Sequence, residues 1–139
     1  MFYCFIVSAN ILFQATGIQN SHVGANILLV FSYVTYDYGS GYNYATGKFT
    51  APVQGMYAFV KQMCADVNHN AITQFVRDGY NILSSESIAP NHAPTCSSAQ
   101  VFQYLSKGDQ VWVESAYESF FANFGPLRDV SFAGVFLHM

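Results

Sequence analysis

The sequence predicts an all-β fold, most simply a jelly-roll β-sandwich of about ten short strands. Three observations carry this. Short runs of β-branched and aromatic residues recur along the whole chain, each closed by Gly, Pro, Asn, Asp or Ser. Apolar residues at the i, i+3, i+4, i+7 spacing of an amphipathic helix are scarce. The chain has 139 residues, of which 52% are hydrophobic and 9% charged. That suffices for one domain, residues 1–139, with a substantial core, and it excludes a disordered chain.

The elements follow in order. Residues 1–13 are mostly apolar, and no charged residue precedes Asp37. Met1-Phe2-Tyr3-Cys4 lacks the basic start of a secretory signal, and Ser8, Asn10 and Gln14 break the run before it could span a membrane. The segment from Cys4 to Phe13 is expected as a buried first strand. Ile27 to Val34 is a second apolar run, and Asp37-Tyr38-Gly39-Ser40-Gly41 is a turn cluster. Phe49-Thr50-Ala51-Pro52 ends a short strand, because proline cannot donate to a ladder. Met56 to Cys64 alternates as a half-buried strand does. Ala71 to Arg77 and Tyr80 to Ser84 flank Asp78-Gly79, a hairpin signal. Ser87 to Ser98 is polar and holds two prolines, so it is expected as a loop. Val101 to Leu105 and Gln110 to Tyr117 are strands on either side of the turn Lys107-Gly108-Asp109. Phe121 to Asp129 is a loop, and Val130 to His138 is the closing strand.

Composition also limits function. Five Lys and Arg against eight Asp and Glu give a net charge of −3, which provides no basic stripe for nucleic acid. Thirteen Phe, ten Tyr and one Trp are more apolar area than a monomer of this size readily hides. Some must face a ligand or another copy of the chain, and composition favours the second. Motifs for catalysis are absent. There is no Gly-x-Ser-x-Gly, Cys-x-x-Cys, His-Glu-x-x-His or phosphate-binding glycine loop, and no Asn-x-Ser/Thr sequon. Glu114 and Glu118 lie four apart near a strand end, and the other acids are dispersed. The chain is therefore expected not to be an enzyme.

One spaced pattern is more specific. Phe31, Asp37, Tyr42, Phe49, Gly55, Tyr57 and Phe59 fall at intervals that resemble the signature of the complement C1q globular head domain, within the tumour-necrosis-factor-like superfamily. Leu105-Ser106-Lys107-Gly108-Asp109-Gln110-Val111-Trp112 resembles that family's Gly-Asp-x-Val turn, and residues 131–137 resemble its closing strand. The resemblance covers roughly residues 5 to 139. Lys61 stands where the signature has an aromatic residue, and these 139 residues hold no collagen-like Gly-X-Y tract.

The resemblance implies a ten-strand jelly roll packed as a compact homotrimer. The first strand, the last strand, Met56–Cys64 and Val101–Leu105 would share one sheet. Gln14–Gly24, Asp66–Asn70, Ser87–Ser98 and Tyr117–Asp129 would then gather at one pole, the trimer apex. Cys64 and Cys96 would lie close enough there either to bridge or to remain two buried thiols, with Cys4 left over. His69 and His92 flank them, so a zinc site is a weaker possibility; a bridge would remove its thiolates. Some relatives bind calcium through acids in the loop before the Val101 strand, but Ser87 to Ser98 contains no Asp or Glu, and no cofactor is expected. The flavour of the sequence is most similar to stalkless, mollusc-type members regarded as secreted pattern-recognition proteins. That implies an extracellular lectin-like protein for microbial polysaccharide, lipopolysaccharide or other glycan. Ligand contacts would come from Asp66, Asn68, His69, Asn70, His92, Tyr117, Asn123 and Arg128. The rival implication is a structural or signalling trimer that binds a protein receptor. No nucleic acid partner and no membrane span are expected.

Overall fold

Alternation of buried inward side chains with more exposed outward ones builds two five-stranded antiparallel sheets packed face to face. The computed structural model describes residues 9–89, 93–122 and 130–139. Sheet one has the order β3-β1-β12-β6-β9, from β1 (Leu12–Ile18), β3 (Phe31–Tyr38), β6 (Gly55–Ala65), β9 (Thr95–Leu105) and β12 (Ser131–His138). Sheet two has the order β4-β5-β10-β7-β8, from β4 (Tyr42–Asn43), β5 (Lys48–Thr50), β7 (Asn70–Arg77), β8 (Tyr80–Ile88) and β10 (Gln110–Ser115). A short ribbon pairs β2 (His22–Val23) with β11 (Ser119–Phe120). This is the jelly-roll sandwich that the sequence predicts. The four strands expected to share a sheet do so.

Several boundaries differ from expectation. The first described strand runs from Leu12 to Ile18 rather than ending at Phe13, because Gln14 and Thr16 occupy outward positions that tolerate polarity. The second run begins its strand at Phe31; Leu28 and Leu29 instead cross to sheet two, where Leu29 N donates to Val113 O at 2.8 Å. The polar stretch expected as a loop over residues 87–98 is mostly strand. β8 continues to Ile88 and β9 begins at Thr95. Serines fit an edge strand when their hydroxyls are used, and the buried Ser87 donates to Met63 O at 3.0 Å. The strand expected to reach Tyr117 ends at Ser115.

The hairpin at Asp78-Gly79 has φ of 48° and 93° at its two turn residues, as the tight two-residue turn requires. Five aromatic signature positions, Phe31, Tyr42, Phe49, Tyr57 and Phe59, are buried between the sheets. Phe13 is their hub: its ring lies 5.0 Å from those of Tyr42, Phe49 and Phe132. Two of the tyrosines also satisfy backbone. Tyr42 Oη donates to Phe31 O at 2.7 Å, and Tyr57 Oη donates to Val53 O at 2.6 Å. Burial raises both phenols above the ordinary tyrosine range, against the lowering effect of these bonds. Gly55 is required by space: a Cβ there would meet Phe136 at 2.5 Å and His138 O at 2.6 Å. Asp37 keeps a buried Oδ1 without a hydrogen-bond partner among the described residues.

Candidate functional site

Strand direction gathers the candidate residues at one end of the sandwich. The end of β6 pairs with the start of β9 at Ala65↔Thr95, and the end of β1 pairs with the start of β12 at Thr16↔Ser131. β7 starts and β8 ends beside them, at Asn70↔Ile88. This pole is the one the resemblance implies as the apex. Cys64 and Cys96 are direct neighbours on β6 and β9, with Cα atoms 3.9 Å apart, and they form a disulfide. Of the alternatives left open above, the structure has the bridge, so zinc held by these thiolates is ruled out. Cys4 lies outside the described residues.

Asp66, Asn68 and His69 form the turn from β6 into β7, and Asn70 opens β7. The turn is pinned from three sides. His69 N donates to Asp66 O at 3.0 Å, Asp66 N donates to Phe120 O at 3.0 Å, and Ala89 N donates to His69 O at 3.1 Å. Asp66 Oδ1 accepts from Val67 N at 2.8 Å, which turns one carboxylate oxygen toward the turn itself. Asn68 adopts φ of 65°, a left-handed conformation that asparagine tolerates, and its side chain is exposed, as is that of Asn70. Tyr117 is 64% exposed in the short connection between β10 and β11. His92, Asn123 and Arg128 lie outside the described residues.

The structure adds residues that sequence reasoning passed over. The ring of His69 stacks on Phe120 with centroids 4.0 Å apart, and His22 stacks on Phe120 at the same distance. Phe120 is therefore held next to two imidazoles. His22 Nε2 lies 3.0 Å from Glu118 Oε2. His69 Nδ1 is buried without a hydrogen-bond partner among the described residues. Nothing local in the sequence signals this cluster. His22 and Glu118 are 96 residues apart, and the two-residue β2–β11 pairing, extended by Phe121 N donating to Ser21 O at 2.6 Å, brings them together. The result is a face with exposed amides at Asn68 and Asn70, an exposed phenol at Tyr117 and a half-exposed stack of rings. Among the described residues no group of three or more His, Cys, Asp or Glu is placed to hold a metal ion. No helix among them is long and apolar enough to cross a membrane.

A sequence model of the C1q domain matches residues 12–137. The chain belongs to the C1q domain family. This family is non-enzymatic. The C1q domain here is 30% identical over 100 residues to mouse complement C1q tumor necrosis factor-related protein 7, covering 72% of this chain and 34% of that protein. It is 30% identical over 108 residues to the human related protein 3, covering 71% of this chain and 39% of that protein. The chain thus spans between about a third and two fifths of the length of these curated relatives. Among solved structures, the globular domain of zebrafish complement 1qA superposes with a TM-score of 0.73 at 20% identity, covering 93% of this chain and 98% of that one. Eiger TNF from S. frugiperda gives 0.71 at 13% identity, covering 94% and 95%. At these identities the superpositions establish a shared fold, the tumour-necrosis-factor-like jelly roll.

Proposed function

We propose that this C1q domain protein is a secreted, trimeric recognition protein of the innate-immune, mollusc-type group, and that it binds microbial surface glycans or lipopolysaccharide through its apex. The observation that carries the reading is the apical face itself. Tyr117, Asn68, Asn70 and the His22–Phe120–His69 stack present planar polar groups and ring surfaces together, on turns anchored by backbone bonds. Sugars are bound by this mixture, with rings against the apolar face of a pyranose and amides against its hydroxyls. A disulfide suits an oxidising, extracellular compartment. Three such faces on one trimer would convert weak single contacts into avidity.

The test is binding of the purified protein to a panel of microbial polysaccharides and lipopolysaccharides, each with and without a chelator. Selective binding that survives the chelator and falls at least tenfold in Tyr117→Ala is expected. Binding abolished by the chelator would overturn the metal-free reading. Failure to bind any panel member, with the protein shown to be assembled, would favour a protein receptor instead.

A further inference from the structure

Away from the apex, the two sheets separate along one edge. β8 ends sheet two and β9 ends sheet one. In the apical half these rims are stitched together: Ser87 Oγ donates to Met63 O at 3.0 Å and accepts from Ser97 Oγ. Toward the opposite pole the rims part, and a cleft of about 540 Å³ opens between Arg77, Asp78, Tyr80, Asn81, Ile82 and Gln103. That volume lies within the usual range of small-ligand sites, about 300–1,000 Å³.

We propose that this cleft is a second saccharide site, specific for a neutral sugar. The inference rests on the reading of the protein as a glycan binder and adds a site that the apical reading does not include. Tyr80 is 79% exposed and follows directly on the Asp78-Gly79 turn, which the Arg77↔Tyr80 pairing closes. An open ring on a fixed turn offers a flat apolar wall at small entropic cost. Ile82 continues that wall. The Asn81 and Gln103 amides each offer donors and an acceptor, the complement of a sugar's hydroxyls. Asn81 is oriented in advance, since its Nδ2 donates to Ser84 Oγ at 3.0 Å. So is Arg77, whose Nη2 donates to Asp109 Oδ2 at 2.8 Å.

Charge selects among sugars. Arg77 is countered by Asp109 at 2.8 Å and by Asp78 at 3.9 Å, so the three groups together carry one net negative charge. A sulfated, phosphorylated or carboxylated saccharide meets repulsion there, and a neutral one does not.

The experiment uses the whole protein and three neutral probes, laminarihexaose, mannohexaose and chitohexaose, with a heparin-derived hexasaccharide as the anionic probe. Side-chain amide resonances and calorimetry are followed in the parent, Tyr80→Ala, Tyr80→Phe and Tyr117→Ala. At least one neutral probe should shift the Asn81 and Gln103 amides saturably. Its affinity should fall about tenfold in Tyr80→Ala and by less than threefold in Tyr80→Phe and Tyr117→Ala. Shifts confined to Asn68 and Asn70, with loss in Tyr117→Ala alone, would overturn the cleft while leaving the apical reading intact. Tighter binding of the heparin fragment at the cleft would overturn its specificity. No saturable shift at Asn81 or Gln103 with any probe would overturn the proposal outright.

Discussion

The Lys61 ammonium sits inside the sandwich, with no exposed surface. Its Nζ donates to Thr73 Oγ1 at 2.8 Å and lies 4.9 Å from the centre of the Phe75 ring. Burial lowers its pKa from 10.5 to about 7. The unfolded chain therefore binds a proton between about pH 7 and 10.5 that the folded chain does not. Stability must rise with pH across that window. Below about pH 7 the amine is charged in both states, and the fold bears the full penalty of a buried charge. At about 1.4 kcal/mol per pH unit, that penalty is about 5 kcal/mol at most. Replacing both partners avoids leaving the threonine hydroxyl orphaned. Lys61→Met with Thr73→Val should gain about 2–4 kcal/mol over the parent at pH 6. Urea unfolding at fixed protein concentration should show that gain shrinking as pH rises toward 9.5. A gain that does not change with pH would mean that Lys61 keeps its charge when folded.

At the scale of strands, the Cys64–Cys96 bridge joins β6 to β9 midway along no loop of its own: the two strands are already paired from Gly55↔Leu105 to Ala65↔Thr95. The bridge closes a separation of 32 residues, for which loop-closure entropy gives about 3.7 kcal/mol. Cys64→Ala with Cys96→Ala should lose about that much in urea unfolding, while far-ultraviolet circular dichroism of the folded protein stays unchanged. A changed spectrum would mean that the bridge also sets the register of the ladder. What could be read from sequence divides along similar lines. The signature aromatics and Gly55 were legible because inward alternation and a Cβ-free backbone leave a pattern in the residues themselves. The Asp78-Gly79 hairpin was legible for the same reason, since its turn chemistry is local. Gln14 and Thr16 hid the true extent of β1, because polarity on an outward face looks like a strand end. Serines and prolines hid the ends of β8 and β9. At the apex Asp66, Asn68 and His69 could be placed together from one turn, whereas His22, Glu118 and Phe120 could not. Their meeting depends on β2 and β11, two residues each, which leave no periodicity to detect.

For the whole molecule, the informative surface is the outward face of sheet one. Along β12 the outward positions are Ser131, Ala133, Val135 and Leu137, and along β6 they include Met56, Ala58, Val60 and Gln62. Tyr36 and Tyr38 flank them on β3, and Phe102 and Tyr104 on β9, with Tyr38, Phe102 and Tyr104 well exposed. None of these side chains is charged, which is how a chain with 17% aromatic and 9% charged residues concentrates its apolar surface. An uncharged, ring-bearing sheet face of this size is suited to another copy of the chain. Together with the family, it supports a trimer of three 15.4 kDa chains, about 46 kDa. Val135 lies at the centre of that face, between Leu12 on β1 and Ala58 on β6. Val135→Glu would place a charge with no partner into the contact, a cost of several kcal/mol per subunit. Sedimentation equilibrium at micromolar concentration should give about 46 kDa for the parent and 15.4 kDa for Val135→Glu. Tyr44→Glu, an equally drastic change at an exposed ring in the turn between β4 and β5, should leave the trimer intact. A parent protein that sediments as a monomer would refute the assembly. A trimer that survives Val135→Glu would place the contact on another face.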